Sequence, residues 1–154
     1  MILREATRQD LPAVLALLGD EDTVLDPTTI TVGEAHERAF AAIGADPRNE
    51  MLVLTDGTDG TGTVVLGCLQ LTYIPGLARN GQERALVEAV RVRADRRGAG
   101  LGAELMRLAA ERARERGCGL IQLTSGKRRT AAHRFYERLG FARSHEGFKL
   151  RLEP

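Results

Sequence analysis

Hydrophobic residues along the chain alternate between the period-two spacing of strands and the wider spacing of amphipathic helices. Apolar alternation and flanking turn residues predict strands over residues 2–6, 51–55, 63–74, 84–93, 120–124, 141–143 and 148–152. Helical spacing predicts a helix capped by Thr7 or Asp10 and ending at Gly19, followed by helices over residues 33–45, 101–117 and 130–139. The order of these elements predicts an α/β fold, in which one domain spanning residues 1–154 contains a mixed β-sheet flanked by helices.

The fourth predicted strand and the helix after it enclose the most distinctive stretch of the chain. Strict alternation places Glu88, Val90 and Val92 on one face of that strand. A basic, glycine-rich turn then reads R-R-G-A-G-L-G, from residue 96 to residue 102. The helix that follows directs its apolar residues to one side, namely Leu101, Leu105, Leu108 and Ala109.

This turn has the properties of an anion-binding site. Glycines at positions 98, 100 and 102 lack Cβ atoms, so a ligand can approach the backbone closely. The first N–H groups of a helix have no intrahelical acceptor, and the helix dipole adds positive potential at the same place. Arg96 and Arg97 contribute full charges. The turn therefore predicts a phosphate or pyrophosphate site, although it matches neither the P-loop nor the Rossmann glycine pattern.

Two motifs in this order resemble those of the GNAT superfamily of acetyl-CoA-dependent N-acetyltransferases. The first is R-x-x-G-x-G, with Arg97, Gly100 and Gly102. The second is A-x-x-F-Y-x-x-x-G-F, which matches fully at Ala132, Phe135, Tyr136, Gly140 and Phe141. The resemblance implies a GNAT-like acyl-CoA N-acyltransferase fold. It also implies transfer of the acetyl group of acetyl-CoA to a primary amine of a small molecule or peptide.

The same resemblance implies roles for individual residues. Residues expected to contact acetyl-CoA are Val90, Arg91, Val92, Arg97, Gly98, Ala99, Gly100, Leu101, Gly102, Ser125, His133 and Tyr136. Tyr136 occupies the position of the general acid that protonates the departing thiolate. Glu88 is the candidate base for the amine, with Glu83 in reserve. Ser125 stands near the place where many relatives have asparagine, and the basic run from Lys127 to Arg129 is an alternative partner for a 3′-phosphate.

Two alternatives from other functional classes remain open. One is a non-catalytic regulatory domain that binds acyl-CoA on the same fold, because such a protein needs the glycine turn but neither Tyr136 nor Glu88. The other is a nucleotide-binding protein that uses the glycine turn alone. Acidic residues at positions 20–26 give a weak indication of a cationic acceptor.

Composition argues against several other classes of protein. A net charge of +1 argues against a general nucleic-acid-binding protein. No uninterrupted apolar run approaches the roughly 20 residues of a membrane span, and we expect a cytoplasmic protein. Cys68 and Cys118 are predicted to be reduced and structural. Asp56 and Asp59 lack the spacing of a calcium loop, so no metal is expected. A homodimer is expected from the resemblance alone.

Overall fold

The structure is a computed structural model that describes residues 1–57 and 64–153. The chain divides into two compact units, Met1–Gln122 and Leu123–Pro154, which are described in turn. The strands of the chain are β1 (Ile2–Glu5), β2 (Asn49–Thr55), β3 (Val65–Ile74), β4 (Arg84–Val92) and β5 (Leu120–Leu123). The α-helices are α1 (Leu11–Gly19), α2 (Glu34–Ala45), the single turn α3 (Ala78–Gly81), α4 (Leu101–Arg116) and α5 (Thr130–Arg138).

The strands form one mixed five-stranded sheet in the order β1-β2-β3-β4-β5. The first four strands are joined by antiparallel pairing, so each lies beside its neighbour in sequence. Helix α4 connects β4 to β5, a connection of the length that parallel neighbours require. The α/β fold class predicted from the sequence is thus confirmed, whereas a single domain over residues 1–154 stays a prediction.

In the first unit both faces of the sheet are covered by apolar side chains. On one face the residues Val14 and Leu17 of α1 pack against strand residues, which are Met51, Val53, Val65 and Cys68. The side chains on the other face of β2 and β3 form a second group of buried residues, which are Leu52, Leu54, Leu69, Leu71 and Tyr73. Helix α4 adds to the buried residues Leu101, Leu105, Met106, Ala109 and Ala113, in agreement with its predicted apolar face except at Leu108, which is only partly buried.

A charged cluster fixes the C-terminal half of α4 to the sheet. The Arg112 guanidinium donates to both carboxylate oxygens of Glu50, with Nε at 2.7 Å from Oε2 and Nη2 at 2.9 Å from Oε1. The Tyr73 hydroxyl donates to the same carboxylate at 2.7 Å. The Arg116 guanidinium lies 4.0 Å from the centre of the Tyr73 ring. One partly buried carboxylate on β2 therefore ties β3 and α4 together.

The second unit contains α5, whose side chains contact the residues before and after it. Tyr136 packs edge-on against Phe135 and Phe141, with ring centres 5.2 Å and 5.7 Å away. The His133 ring is 2.7 Å from the Gly126 carbonyl; since a carbonyl only accepts, Nε2 carries the proton. The helix ends before Gly140, which has a φ of +96°. These contacts hold the segment before α5 and the segment after it against the helix.

The prediction of strands over residues 141–143 and 148–152 was wrong. Residues 141–143 and 148–152 have the expected apolar alternation, but the structure contains no strand beyond α5 in the residues it describes. Phe148, Leu150 and Leu152 are all exposed. A strand needs a hydrogen-bonded neighbour as well as a suitable pattern, and the pattern alone does not say which neighbour is present.

Replacing Arg112 with Met is predicted to lower the free energy of unfolding by about 2 kcal/mol at neutral pH, because Glu50 loses a charged hydrogen-bonding partner. Arg114→Met, an exposed change on the same helix, is the matched control and should have little effect. Urea denaturation of both variants measures the difference.

The effect should depend on pH. Burial raises the pKa of Glu50, but Arg112 and Tyr73 outweigh burial and hold that pKa below its usual range. A lowered carboxyl pKa contributes stability above the unfolded-state value of about 4.3 and loses it as pH falls through the native value. The gap between wild type and Arg112→Met should therefore close below about pH 4. A gap that persists unchanged into acid would show that Arg112 acts by packing alone.

Candidate functional site

The glycine turn before α4 has the geometry of an open helix N-terminus. Gly98 and Gly100 have φ angles of +79° and +81°, in the left-handed region that side chains with a Cβ rarely adopt. The first hydrogen bond of α4 runs from the Glu104 N–H to the Gly100 carbonyl at 3.1 Å. The N–H groups of residues 101–103 precede that bond and have no acceptor within the helix. They provide the donors that the sequence predicted for an anion.

The space above the turn is open. A Cβ atom built on Gly98 or Gly100 would meet no heavy atom within 4 Å. These glycines are therefore required by backbone conformation and leave room for a ligand beside the helix end. Arg96 and Arg97 lie on the exposed part of the turn. Backbone donors, helix dipole and two guanidinium groups together suit a phosphate or pyrophosphate.

Arginines of this region are paired with carboxylates of the acidic loop, which we define as residues 20–26. Arg97 Nη1 lies 3.3 Å from a carboxylate oxygen of Asp22, and Arg97 Nη2 donates to the Glu21 carbonyl. Arg91 Nη2 lies 3.3 Å from Glu21 Oε1. An anion that binds Arg97 must therefore compete with Asp22. The sequence showed the acidic composition of this loop but not which cations it pairs with.

Strand β4 contains a β-bulge beside β3. Gln70 is opposite Glu88 and Cys68 is opposite Arg91, so two residues of β4 face one residue of β3. Ala89 has a φ of +55°, which is uncommon for a residue with a side chain. A Cβ on Gly67 would lie 2.8 Å from the Arg91 carbonyl oxygen. Glycine at position 67 thus allows β3 and β4 to approach closely beside the bulge, a role that sequence reasoning missed.

Because of the bulge, Glu88 does not share a face of the sheet with Val92, contrary to the prediction from the sequence. Directly opposite residues in an antiparallel pair share a face, so Glu88 and Arg91 lie on the face of Gln70 and Cys68, which carries α1. Val92 is opposite Gly67, and a Cβ atom built on Gly67 would contact the Leu105 side chain of α4. Glu88 and Val92 are therefore on opposite faces. The prediction of one shared face was wrong because an extra residue reverses the alternation.

Glu88 is exposed at the bulge, where it is free to meet solvent or a bound molecule. The reserve candidate Glu83 is engaged elsewhere, since its carboxylate accepts from Arg116 Nε at 2.7 Å. Of the two acids, Glu88 is thus the one whose surroundings suit a base.

Cys68 lies under the bulge as a buried thiol. Its Sγ is 3.6 Å from the Ala89 carbonyl, to which the thiol donates. Burial raises the pKa of Cys68 to about 12, although the nearby Arg91 charge acts in the opposite direction. The thiol is therefore protonated at neutral pH and is not a nucleophile. This agrees with the structural role predicted for it.

A cavity of about 450 Å³ lies beside the acidic loop in the first unit. Its walls are mainly apolar and come from α1, from residues 23–27 of the loop and from the start of β3. Asp26 and Arg93 are among its polar residues. It is large enough for a small organic molecule.

In the second unit, Ser125 is the residue whose surroundings point to a ligand. Its Oγ is buried and has no hydrogen-bonding partner among the residues that the structure describes. Buried hydroxyl groups are rarely left unpaired. His133 has Nε2 committed to the Gly126 carbonyl, so it positions the segment that carries Ser125. Tyr136 lies on the same helix as His133, between two aromatic rings.

Neither a metal-binding cluster nor a membrane-spanning helix occurs in the described part of the chain. In residues 1–57 and 64–153, no three side chains of His, Cys, Asp or Glu are grouped in a way that could hold a metal ion. Asp59, considered above for calcium, lies outside the described residues. None of the described helices has both the length and the hydropathy needed to cross a membrane.

Structural neighbours cover nearly the whole chain. A transcriptional regulator from Bacillus halodurans C-125 is 41% identical with a TM-score of 0.84, covering 98% of this chain and 99% of its own. A protein from Agrobacterium tumefaciens str. C58, named provisionally as an acetyltransferase, is 33% identical with a TM-score of 0.81 and the same coverage. AAC(6')-Iy, in complex with the bisubstrate analogue CoA-S-monomethyl-acetylneamine, shares the fold at 14% identity and a TM-score of 0.73, covering 99% and 98% of the two chains.

Comparison of the sequence with family models agrees with the structural neighbours. No curated protein matches the chain. The model of the Acetyltransferase (GNAT) family matches residues 19–141, which include the glycine turn, the β4 bulge and both sequence motifs. On this match, and on the geometry of the α4 N-terminus, the chain belongs to the GNAT acetyltransferase family.

Proposed function

We propose that the protein transfers the acetyl group of acetyl-CoA to a primary amine by direct attack of the amine on the thioester. The observation that carries this proposal is the open N-terminus of α4, where the N–H groups of residues 101–103 have no acceptor within the helix and two arginines lie beside them. Coenzyme A presents a pyrophosphate that such a site binds. The complex of AAC(6')-Iy with a CoA-containing analogue supports the same ligand class on this fold.

The residues present suit acetyl-CoA as cosubstrate. The turn from Arg97 to Gly102, including Ala99 and Leu101, would hold the pyrophosphate through backbone N–H groups. The buried Oγ of Ser125 would bond the pantetheine arm, which gives this hydroxyl the partner that it lacks. Backbone groups of Val90, Arg91 and Val92, next to the bulge, would hold the arm and the acetyl carbonyl. Binding would release Arg97 from Asp22.

The chemical step follows from the reacting groups. The amine nitrogen attacks the thioester carbonyl carbon, forming a C–N bond and a tetrahedral oxyanion that backbone donors stabilise. The C–S bond then breaks, and the departing thiolate takes a proton from the Tyr136 hydroxyl, which solvent later restores. The ammonium group loses one proton to Glu88 before attack, directly or through water, and after Glu88 has passed that proton to solvent it accepts the second proton from the nitrogen of the tetrahedral intermediate. No covalent enzyme intermediate is required, in keeping with the buried, protonated thiol of Cys68.

The acceptor class is suggested by the acidic loop and its cavity. Asp26 is on the wall of the cavity of about 450 Å³, and the loop carries further carboxylates. A carboxylate beside an apolar pocket favours a molecule with a positively charged amine and an apolar body. We therefore propose a cationic small molecule or peptide as the acceptor.

A second candidate function is acyl-CoA binding without catalysis. The observation that favours it is the 41% identical neighbour described as a transcriptional regulator. Such a protein would bind acetyl-CoA through the same α4 N-terminus but would release no thiol.

Titration with acetyl-CoA in a calorimeter, followed by a thiol-release assay over a panel of amines, separates these functions. We expect saturable binding and release of CoA with at least one cationic amine. Binding without release from any amine would support the regulator. Absence of binding would remove the anion site on which both functions rest.

Tyr136→Phe should lower kcat by about 10²–10⁴-fold, because the thiolate then departs without a general acid. Binding of acetyl-CoA should remain close to wild type in calorimetry. The matched control is Tyr73→Phe, which removes the hydrogen bond to Glu50 and should reduce stability more than kcat. Unchanged turnover in Tyr136→Phe would exclude this tyrosine as the acid.

Glu88→Gln should steepen the pH dependence of kcat/KM. A lysine-like amine has a pKa of about 10.4, so free amine falls roughly tenfold per pH unit below it. A carboxylate that removes the proton offsets this loss, and the variant should therefore lose most activity at low pH. Glu115→Gln, an exposed acid on α4, is the control. Superimposable pH profiles for wild type and Glu88→Gln would exclude Glu88 from proton transfer.

A further inference from the structure

A row of polar side chains crosses the sheet next to the bulge. Gln70 of β3 is directly opposite Glu88 of β4, and Thr72 lies two residues further along β3 on the same face. Asn49 of β2 is opposite Thr72, so it shares this face as well. The three residues on β2 and β3 are partly buried. Polar groups in such positions need hydrogen-bonding partners, and those partners determine which atoms remain for a ligand.

The amide of Asn49 is fixed by a carboxylate. Asn49 Nδ2 donates to Asp46 Oδ2 at 2.9 Å, and the Arg48 N–H donates to the other oxygen of Asp46 at 2.8 Å. These two donors, the Arg48 N–H first, hold the pKa of Asp46 below its usual range. The carboxylate is therefore charged at neutral pH and can only accept. The Asn49 nitrogen must point toward it, and the Asn49 oxygen is left for other donors.

The oxygen of Asn49 in turn orients Gln70. Asn49 Oδ1 accepts from the Thr72 hydroxyl at 2.8 Å and from Gln70 Nε2 at 3.4 Å. If the Gln70 amide were reversed, two amide oxygens would face each other with no proton between them. Gln70 Nε2 is thus committed to Asn49, and Gln70 Oε1 accepts no hydrogen bond from the residues that the structure describes. An unused amide oxygen and the Glu88 carboxylate therefore belong to directly opposite residues.

We propose that Gln70 Oε1 accepts an N–H group of the attacking amine beside Glu88, and that this contact makes the protein selective for primary amines. Directly opposite residues have Cβ atoms about 5 Å apart, so both acceptors can reach one nitrogen atom. A neutral primary amine has two N–H groups and a lone pair. With the N–H groups directed to Gln70 and Glu88, the lone pair is left for the thioester carbonyl carbon. The assignment of Gln70 rests on the proposed acetyl transfer, whose acceptor it contacts.

The proton balance of the reaction agrees with these two roles. Once the C–N bond has formed, the nitrogen of a primary amine carries two protons, of which one goes to Glu88 and one stays in the amide product. An amide oxygen accepts a hydrogen bond but does not take up a proton at neutral pH, so Gln70 holds the N–H that stays. A neutral secondary amine has a single N–H and leaves one of the two acceptors unpaired. Sites built to pair with an N–H group discriminate against analogues that lack it.

The test compares two substrates, namely the primary amine with the highest kcat/KM in the amine panel and its N-methyl derivative. Wild type should prefer the primary amine, and Gln70→Leu should lower the ratio of the two kcat/KM values by roughly tenfold, the effect of about one hydrogen bond. The KM for acetyl-CoA, and its dissociation constant in calorimetry, should not change. Gln82→Leu, the same substitution at an exposed residue before β4, is the control and should keep the wild-type ratio.

Gln70→Glu separates hydrogen bonding from packing, because it keeps an oxygen that can accept the N–H group. It should retain the preference for the primary amine, and circular dichroism verifies that both variants at this position are folded. A wild type without that preference, a ratio that Gln70→Leu leaves unchanged, or an equal loss in Gln70→Glu would overturn the role of Gln70 while acetyl transfer still stands. A wild type that releases no CoA with any primary amine would overturn the proposed function, and the role of Gln70 with it.

Discussion

The extra residue in β4 between Glu88 and Arg91 is the constraint on which the site depends. Directly before the bulge, β4 is regular: Ala85 and Val87 are buried on one face, whereas Leu86 is partly buried and Glu88 is exposed on the other. After it, the alternation is reversed, so Arg91 faces α1 and meets Glu21 of the acidic loop. The backbone at Ala89 adopts an uncommon φ, and Gly67 leaves the space in which the Arg91 carbonyl lies. Buried packing on both faces holds this geometry against its cost.

The position of α4 depends on the same sheet through a second set of contacts. Strand β4 leads directly into the glycine turn, so the bulge and the helix N-terminus are a few residues apart. Further along the helix, Glu50 of β2 binds Arg112 and accepts from Tyr73 of β3. These contacts at Arg112 fix the helix to the sheet and so hold its first turn in place. A site made of backbone N–H groups requires this, because such donors cannot move independently of the helix.

How much of this could be predicted from the sequence depends on whether a feature is local. The glycine turn, α4 and the first five strands follow from spacing and turn residues, and the structure has them within a few residues. The face of Glu88 could not be predicted, since a bulge changes parity without changing the apolar pattern around it. Gly67 was missed because its neighbour, the Arg91 carbonyl, is distant in sequence. Residues 148–152 show a third kind of limit, because alternation predicts a strand but does not show whether a neighbouring strand pairs with it.

The contact between Arg97 and the acidic loop connects the proposed binding site of the acyl donor with that of the amine. Arg97 is held by Asp22 and by the Glu21 carbonyl, and Arg91 is held by the Glu21 side chain. An incoming pyrophosphate carries more charge than one carboxylate and also meets the helix N–H groups, so it can displace Asp22. The released Asp22 carboxylate belongs to the loop whose residues 23–26 form part of the cavity wall. Binding of an anionic cosubstrate would therefore free one negative charge on the loop beside the proposed acceptor pocket, which would favour a cationic amine there.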